Sequence, residues 1–74
     1  MQDYNQADVN FMRQMIEHHK MALKMSNVVL GGGQNHTVKT LAVKIQQAQA
    51  AEINMMERWL WSHGHIAASK SHSM

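Results

Sequence analysis

The chain is rich in two side chains that bind soft metal ions. Its 74 residues include eight methionines and six histidines, and there is no cysteine. Thioether sulfur is a soft, neutral ligand and imidazole is a borderline one. Together they suit Cu(I), with Ag(I) as its surrogate, better than Zn(II) and far better than Ca(II) or Mg(II). The composition therefore predicts a Cu(I) site without thiolates.

The candidate ligands of the first half of the chain form two trios with helical spacing. One trio is Met12, Met15 and His19, and the other is His18, Met21 and Met25. On a helix, residues at i, i+3 and i+7 stack along one side. Each trio can therefore reach a common point, and the two trios lie on adjacent sides of the helix.

Two further methionines, Met55 and Met56, lie in the second half of the chain. If the chain folds back on itself between Gly33 and Gln34, both come opposite Met12. They would then add two thioethers to the first trio, near the open end of a helical hairpin. We predict Met55 and Met56 to be metal ligands as well.

Two polar residues, Gln49 and Glu52, interrupt the otherwise apolar face of the second half. The same register places Glu52 opposite Met15 and Gln49 opposite His18. A buried polar group needs a hydrogen-bond partner, and a carboxylate behind a ligating imidazole is a common arrangement. We predict that both residues support ligating histidines.

These residue types also have plainer interpretations. Methionine at helical spacing is typical of core packing, so the methionines can be core, ligand or both. Met21 lies off the main apolar face, which favours a ligand role. The adjacent His18 and His19 fit either ligands or hydrogen-bonded core residues. His63 and His65 fit a helix C-terminus, where positive charge is favourable, as well as they fit an auxiliary metal site.

A first helix is predicted over about residues 4–30. Its start has a capping box beginning at Asp3 or, as a second choice, at Asn5. Three consecutive glycines, residues 31–33, are expected to stop it. Its inner face is expected to include Asp8, Phe11, Met15, His18, His19, Ala22, Ser26 and Val29.

A second helix is predicted over about residues 37–62, capped by Asn35 or Thr37 and ended by Gly64. Its inner face is expected to carry Val38, Leu41, Ala42, Ile45, Ala48, Gln49, Glu52, Met56, Trp59 and Leu60.

The fold class is therefore all-α, with residues 1–65 forming an antiparallel helical hairpin and the small, polar residues 66–74 forming a disordered tail. A chain this short buries little apolar surface without a disulfide, a metal or a partner. We therefore expect a homodimer that forms a four-helix bundle. Its shared core is expected to include Phe11, Val29, Leu41, Ile45 and Leu60.

Charge and hydropathy exclude two classes of partner. The seven basic residues are scattered singly and form no phosphate-binding patch, so no nucleic-acid partner is expected. No stretch approaches the roughly 20 apolar residues of a membrane span. No leader is recognisable in the chain. The absence of cysteine fits an oxidising compartment, so the periplasm or the cell exterior is expected.

Two segments resemble the signatures of a known family. Residues 11–25 read Phe-Met-x-x-Met-Ile-x-His-His-x-x-Ala-x-x-Met, and residues 45–60 read Ile-x-x-x-Gln-x-x-Glu-Ile-x-x-Met-x-x-Trp-Leu. Both are similar to the family called domain of unknown function 305. The resemblance implies a ferritin-like fold and a periplasmic or secreted protein that handles copper or silver through the Met and His positions of the first segment. Many members carry a second helical pair, which here implies dimerisation.

The function expected from the sequence is non-enzymatic. No Glu-x-x-His pair of a di-iron oxidase, no nucleophile with its base and no phosphate-binding loop is present. We predict a Cu(I)- and Ag(I)-binding protein for metal tolerance, buffering or shuttling, with a separate metal-delivery partner protein. The alternatives are a structural hairpin that binds another protein helix and a four-helix bundle with non-covalent haem held by Met and His.

Overall fold

Two long helices form the structure, a computed structural model that describes residues 3–65. Helix α1 spans Gln6–Gly32 and helix α2 spans His36–Ser62, joined by a three-residue turn. The helices run antiparallel and pack along their length, which confirms the all-α hairpin. Neither described helix carries an apolar stretch long enough to cross a membrane. The predicted disordered tail, residues 66–74, lies outside the described residues.

Helix α1 begins at the second of the two predicted caps. The Asn5 side chain accepts a hydrogen bond from the Asp8 backbone at 3.3 Å, and the Asn5 backbone donates to the Asp8 carboxylate at 2.9 Å. This reciprocal pair satisfies two backbone donors that would otherwise lack partners. The helix therefore starts at Gln6, two residues later than predicted.

Helix α1 also ends two residues later than predicted, because only the third glycine stops it. A glycine in a helix costs only about 1 kcal/mol relative to alanine, so two of them are tolerated. The Gly33 backbone donates to the Val29 carbonyl at 2.6 Å, and a Cβ at Gly33 would lie 2.7 Å from that oxygen. Only glycine fits this close approach.

Asn35 is the cap of helix α2, one of the two predicted candidates. Its side chain accepts a hydrogen bond from the Val38 backbone at 3.0 Å, and the helix begins at His36. The helix ends at Ser62, as predicted. Gly64 then adopts a φ of 80°, and the next backbone amide, that of His65, donates to the Leu60 carbonyl at 2.8 Å.

The helices meet along one seam that repeats every three and four residues on each of them. On α1 this core seam contains Val9, Met12, Ile16, His19, Leu23 and Ser26, all buried or half-buried. On α2 it contains Ala42, Gln46, Gln49, Ile53, Met56 and Leu60, again all buried or half-buried. The Gln46 amide also donates to Asn27 across the interface.

A second seam lies beside the core seam, on one face of the hairpin. This open seam contains Phe11, Met15, His18, Ala22, Met25 and Val29 on α1, and Val38, Leu41, Ile45, Ala48, Glu52, Met55 and Trp59 on α2. Most of the inner-face residues expected from the sequence belong to it rather than to the core. Phe11, for example, is 58% exposed and Leu41 is 56% exposed. A helix with two apolar seams has room for a second neighbour.

Candidate metal centre

The two helices bring methionines from both halves of the sequence into one open groove. We call it the thioether groove. It is lined by Phe11, Met12, Met15, His19, Glu52, Met55 and Met56. It therefore unites the first predicted trio with both predicted methionines of α2. Four thioethers and one imidazole share a single concave surface.

The four methionines differ in how firmly packing holds them. Met56 belongs to the buried core and is only 6% exposed, and Met12 and Met15 pack half-buried against that core. Met55 is 63% exposed, so its three side-chain torsions are little restricted. The groove thus has a fixed apolar base and one adjustable thioether at its edge.

His19 is the imidazole of the groove, and Glu52 holds its ring. The His19 Nε2 atom lies 2.5 Å from a Glu52 carboxylate oxygen, with the His19 side chain 12% exposed and the Glu52 side chain 50% exposed. A carboxylate can only accept, so Nε2 donates this hydrogen bond. In the neutral ring the lone pair then lies on Nδ1, the atom that remains for a metal.

The hydrogen-bond partner of Glu52 lies one helical turn beyond the residue that was expected opposite it. The sequence placed Glu52 opposite Met15, whereas its carboxylate bonds to His19, although Met15 lines the same groove. Long side chains lean along the helix axis, so Glu52 can reach His19 without lying level with it. The hydrogen bond joins Glu52 to a histidine, but Glu52 is exposed rather than buried, and its support of a ligating imidazole stays a prediction. Gln49 is half-buried on the core seam and lies outside the groove, so its supporting role stays a prediction.

The second predicted trio does not reach the thioether groove. His18 is exposed, Met21 is 62% exposed and Met25 is 64% exposed. Met21 lies off the open seam, since neighbouring helix positions point about 100° apart, and Met25 lies about 15 Å further along α1 than Met15. The ligand roles of these three residues stay predictions.

Met25 instead lines a second groove near the turn. This turn groove is formed by Ala22, Met25, Ser26, Val29, Val38, Leu41, Ala42 and Ile45. It lies on the same face of the hairpin as the thioether groove, because both include residues of the open seam.

An aromatic cluster lies beside the thioether groove at the open end of the hairpin. The His63 ring stacks on Trp59 with a centroid distance of 4.2 Å, and Tyr4 packs edge-on against both rings. No role for Tyr4 is evident from the residue types and spacing alone. Its one signal was its position immediately before the Asn5 cap, where an apolar ring often packs back on its helix.

The histidines of this cluster have defined hydrogen bonds. The His63 Nδ1 atom lies 2.8 Å from the Trp59 carbonyl oxygen, so Nδ1 donates and Nε2 keeps the lone pair of the neutral ring. The Tyr4 hydroxyl lies 3.4 Å from the His65 Nε2 atom. His63 also shares a pocket with Met12, which borders the thioether groove. Their use as an auxiliary site stays a prediction.

Within residues 3–65, no three side chains of the His, Cys, Asp and Glu types are close enough to hold a metal ion together. A family model described as domain of unknown function (DUF305) matches residues 8–74. The match thus takes in nearly all of both helices, including every residue of the thioether groove. No curated protein and no solved structure matches the chain.

Proposed function

We propose that this chain, which belongs to the family of domain of unknown function 305, binds Cu(I), with Ag(I) as a surrogate, in the thioether groove. The observation that carries the proposal is the lining of that groove, which combines four thioethers with one imidazole. Thioether and imidazole ligands favour Cu(I) over harder ions. A helical hairpin does not by itself imply a function, so the proposal depends on the residues of the groove.

Each residue of the groove has a distinct task in this proposal. Met12, Met15 and Met56 supply sulfur atoms from a packed base, so little side-chain freedom is lost on binding. His19 supplies Nδ1, with its ring held by Glu52. Met55 is exposed and supplies a sulfur atom that moves to suit the ion.

The proposed role is non-enzymatic, namely copper or silver tolerance by buffering or shuttling the ion to a delivery partner protein. We place it in the periplasm or outside the cell. A thioether site has no thiol that could be lost to disulfide formation in such an oxidising compartment. Methionine can be oxidised to its sulfoxide, which only dedicated reductases reverse. We further propose that the functional unit is a homodimer, in which the open seams of two hairpins meet to form a four-helix bundle.

Competition for Cu(I) against a chromogenic chelator, with native mass spectrometry of the complex, tests the metal site. We expect the Met15→Leu, Met55→Leu double variant to bind Cu(I) more weakly than wild type, because leucine roughly preserves the packing volume but removes sulfur. Met21→Leu makes the same substitution at a methionine that is as exposed as Met55 but lies outside the groove, so a loss of affinity there would instead support the second predicted trio. Equal affinity of the double variant and wild type would overturn the proposal, as would Zn(II) binding tighter than Ag(I) binding.

A further inference from the structure

The charges of the hairpin are segregated along its length. The turn half, residues 18–51, contains four lysines and no acidic residue. The open half, residues 3–17 and 52–65, contains all five acidic residues of the chain and only two arginines. Because the helices are antiparallel, this sequence pattern becomes a rod with one positive end and one negative end.

The two grooves are placed symmetrically on the open seam. On α1, the thioether groove uses positions from 11 to 19 and the turn groove uses positions from 22 to 29. Their common midpoint lies near Lys20, close to the middle of a helix that spans Gln6–Gly32. A two-fold axis through that midpoint, perpendicular to the helices and lying in the plane between two facing open seams, therefore brings each groove to the level of the other.

We propose that the open seam is covered by a second copy of this chain, with its turn at the opposite end. The inference rests on the dimer proposed above and specifies its orientation and its contribution to the metal site. In this antiparallel pair, the lysine-bearing turn half of each copy lies against the acidic open half of the other. The reverse arrangement, with both turns at one end, would gather eight lysines together, which opposes association. The isologous contact also closes, so growth stops at two copies.

The antiparallel pair completes the metal site. About a midpoint near residue 20, Met15 of one copy is level with Met25 of the second copy. Met25 is 64% exposed in the single hairpin and lies on the open seam. It therefore becomes a further thioether over the partner's groove, and the turn groove forms the apolar roof of the site.

Nitroxide labels test the orientation without metal, since the chain has no cysteine and single cysteines can be placed at will. Gln34 is exposed in the turn. In the antiparallel dimer, labels on Gln34→Cys lie at opposite ends, about 40 Å apart from the 1.5 Å rise per residue. With both turns at one end, the labels lie within roughly 20 Å, because packed helices are about 10 Å apart.

Ala51→Cys is the matched control, because Ala51 is exposed and level with the midpoint, where either orientation gives a short distance. A short distance at Ala51 with a long one at Gln34 supports the proposal. Short distances at both overturn it, and so does the absence of a measurable interaction at Ala51. Neither result affects the chelator competition, which tests metal binding itself.

Met25→Leu tests the contribution to the site. We expect weaker Cu(I) binding at concentrations where the protein is dimeric, with Val28→Leu unchanged, because Val28 is exposed on the same helix and lines neither groove. Wild-type affinity in Met25→Leu would overturn the role of Met25, even where the labels support the antiparallel pair.

Discussion

The two halves of the hairpin are built differently although the same two helices run through both. The open half holds the large, fully buried side chains Val9, Ile16 and Leu60. The turn half buries only the small Ala42 and Ser26, and it leaves Val38, Leu41 and Met25 exposed. The open half therefore packs a core of its own, whereas the turn half buries no large apolar side chain.

The candidate metal site lies in the half that is packed. Met56 is part of the core, Met12 and Met15 lean on it, and His19 is fixed by Glu52. A binding site needs such a rigid base, because ligands held by packing need not be ordered when the ion arrives. In the proposed function the two halves have separate tasks, since the open half positions the ligands and the turn half provides the surface for a second copy.

The sharpest test of this comparison is the loss of a core side chain. Ile16→Ala should reduce the free energy of unfolding by about 2–5 kcal/mol, because it removes a fully buried side chain and leaves a cavity. Val28→Ala in the turn half, at 70% exposure, should change it by less than about 0.5 kcal/mol. Urea denaturation followed by circular dichroism measures both. Similar losses in the two variants would contradict the difference in packing.

Much of the fold could be predicted from sequence, because its signals are local. Asn35 and Gly64 mark the limits of α2 through hydrogen-bonding and backbone preferences that need no tertiary context. The seam that forms the core could not be predicted in the same way. Each helix carries two adjacent apolar repeats, so Ile16 and Phe11 fit the pattern equally well, and packing between the helices chooses Ile16.

The residues of the thioether groove could likewise be predicted only in part. Spacing alone placed Met12, Met15 and His19 on one side of a helix, and the groove brings them together. The residue bonded to Glu52 lies one turn from Met15, the residue expected to face it, because long side chains lean along the helix axis. The sequence therefore indicated which candidate ligands share the groove, but not that Glu52 is paired with His19.

Within the proposed metal site, replacing the imidazole is expected to have the largest effect on Cu(I) affinity. His19→Ala should weaken Cu(I) binding about 100-fold at about pH 7, since loss of even an outer partner of a ligand costs about 10–100-fold. Wild-type affinity should also fall as the pH drops from about 7 to about 5, because protons compete for the imidazole and not for thioethers.

The pH dependence distinguishes a ligand from a structural residue. His19→Ala should have a flatter pH profile, whereas His18→Ala, an exposed neighbour outside the groove, should keep the wild-type profile. Chelator competition across the pH range measures both. A profile that is unchanged in His19→Ala and flattened in His18→Ala would assign the ligand to the other trio.

The residue that orients the imidazole should have a smaller effect. Glu52→Gln should weaken Cu(I) binding about tenfold, at the lower end of the range for outer partners, because the amide oxygen can still accept from His19. Glu57→Gln is the control, as it removes the same charge from α2 outside the groove. Equal effects of the two variants would mean that only the charge of the helix matters and not the hydrogen bond to His19.

The smallest expected effect concerns the charges that distinguish the halves. Exposed ion pairs contribute only about 0.2–1 kcal/mol each, and salt screens them. If the positive turn half lies against the negative open half, raising NaCl from about 50 to about 500 mM should raise the dimer dissociation constant several-fold, as measured by sedimentation equilibrium. If the turns lie at one end, salt should strengthen the dimer, because screening then relieves repulsion.

Lys44→Glu tests the same comparison by changing one charge, since Lys44 is exposed beside Leu41 in the turn half. It should weaken the antiparallel dimer at low salt and flatten its salt dependence, whereas it should strengthen a dimer whose turns meet. The sign of the change, rather than its size, therefore decides between the two arrangements.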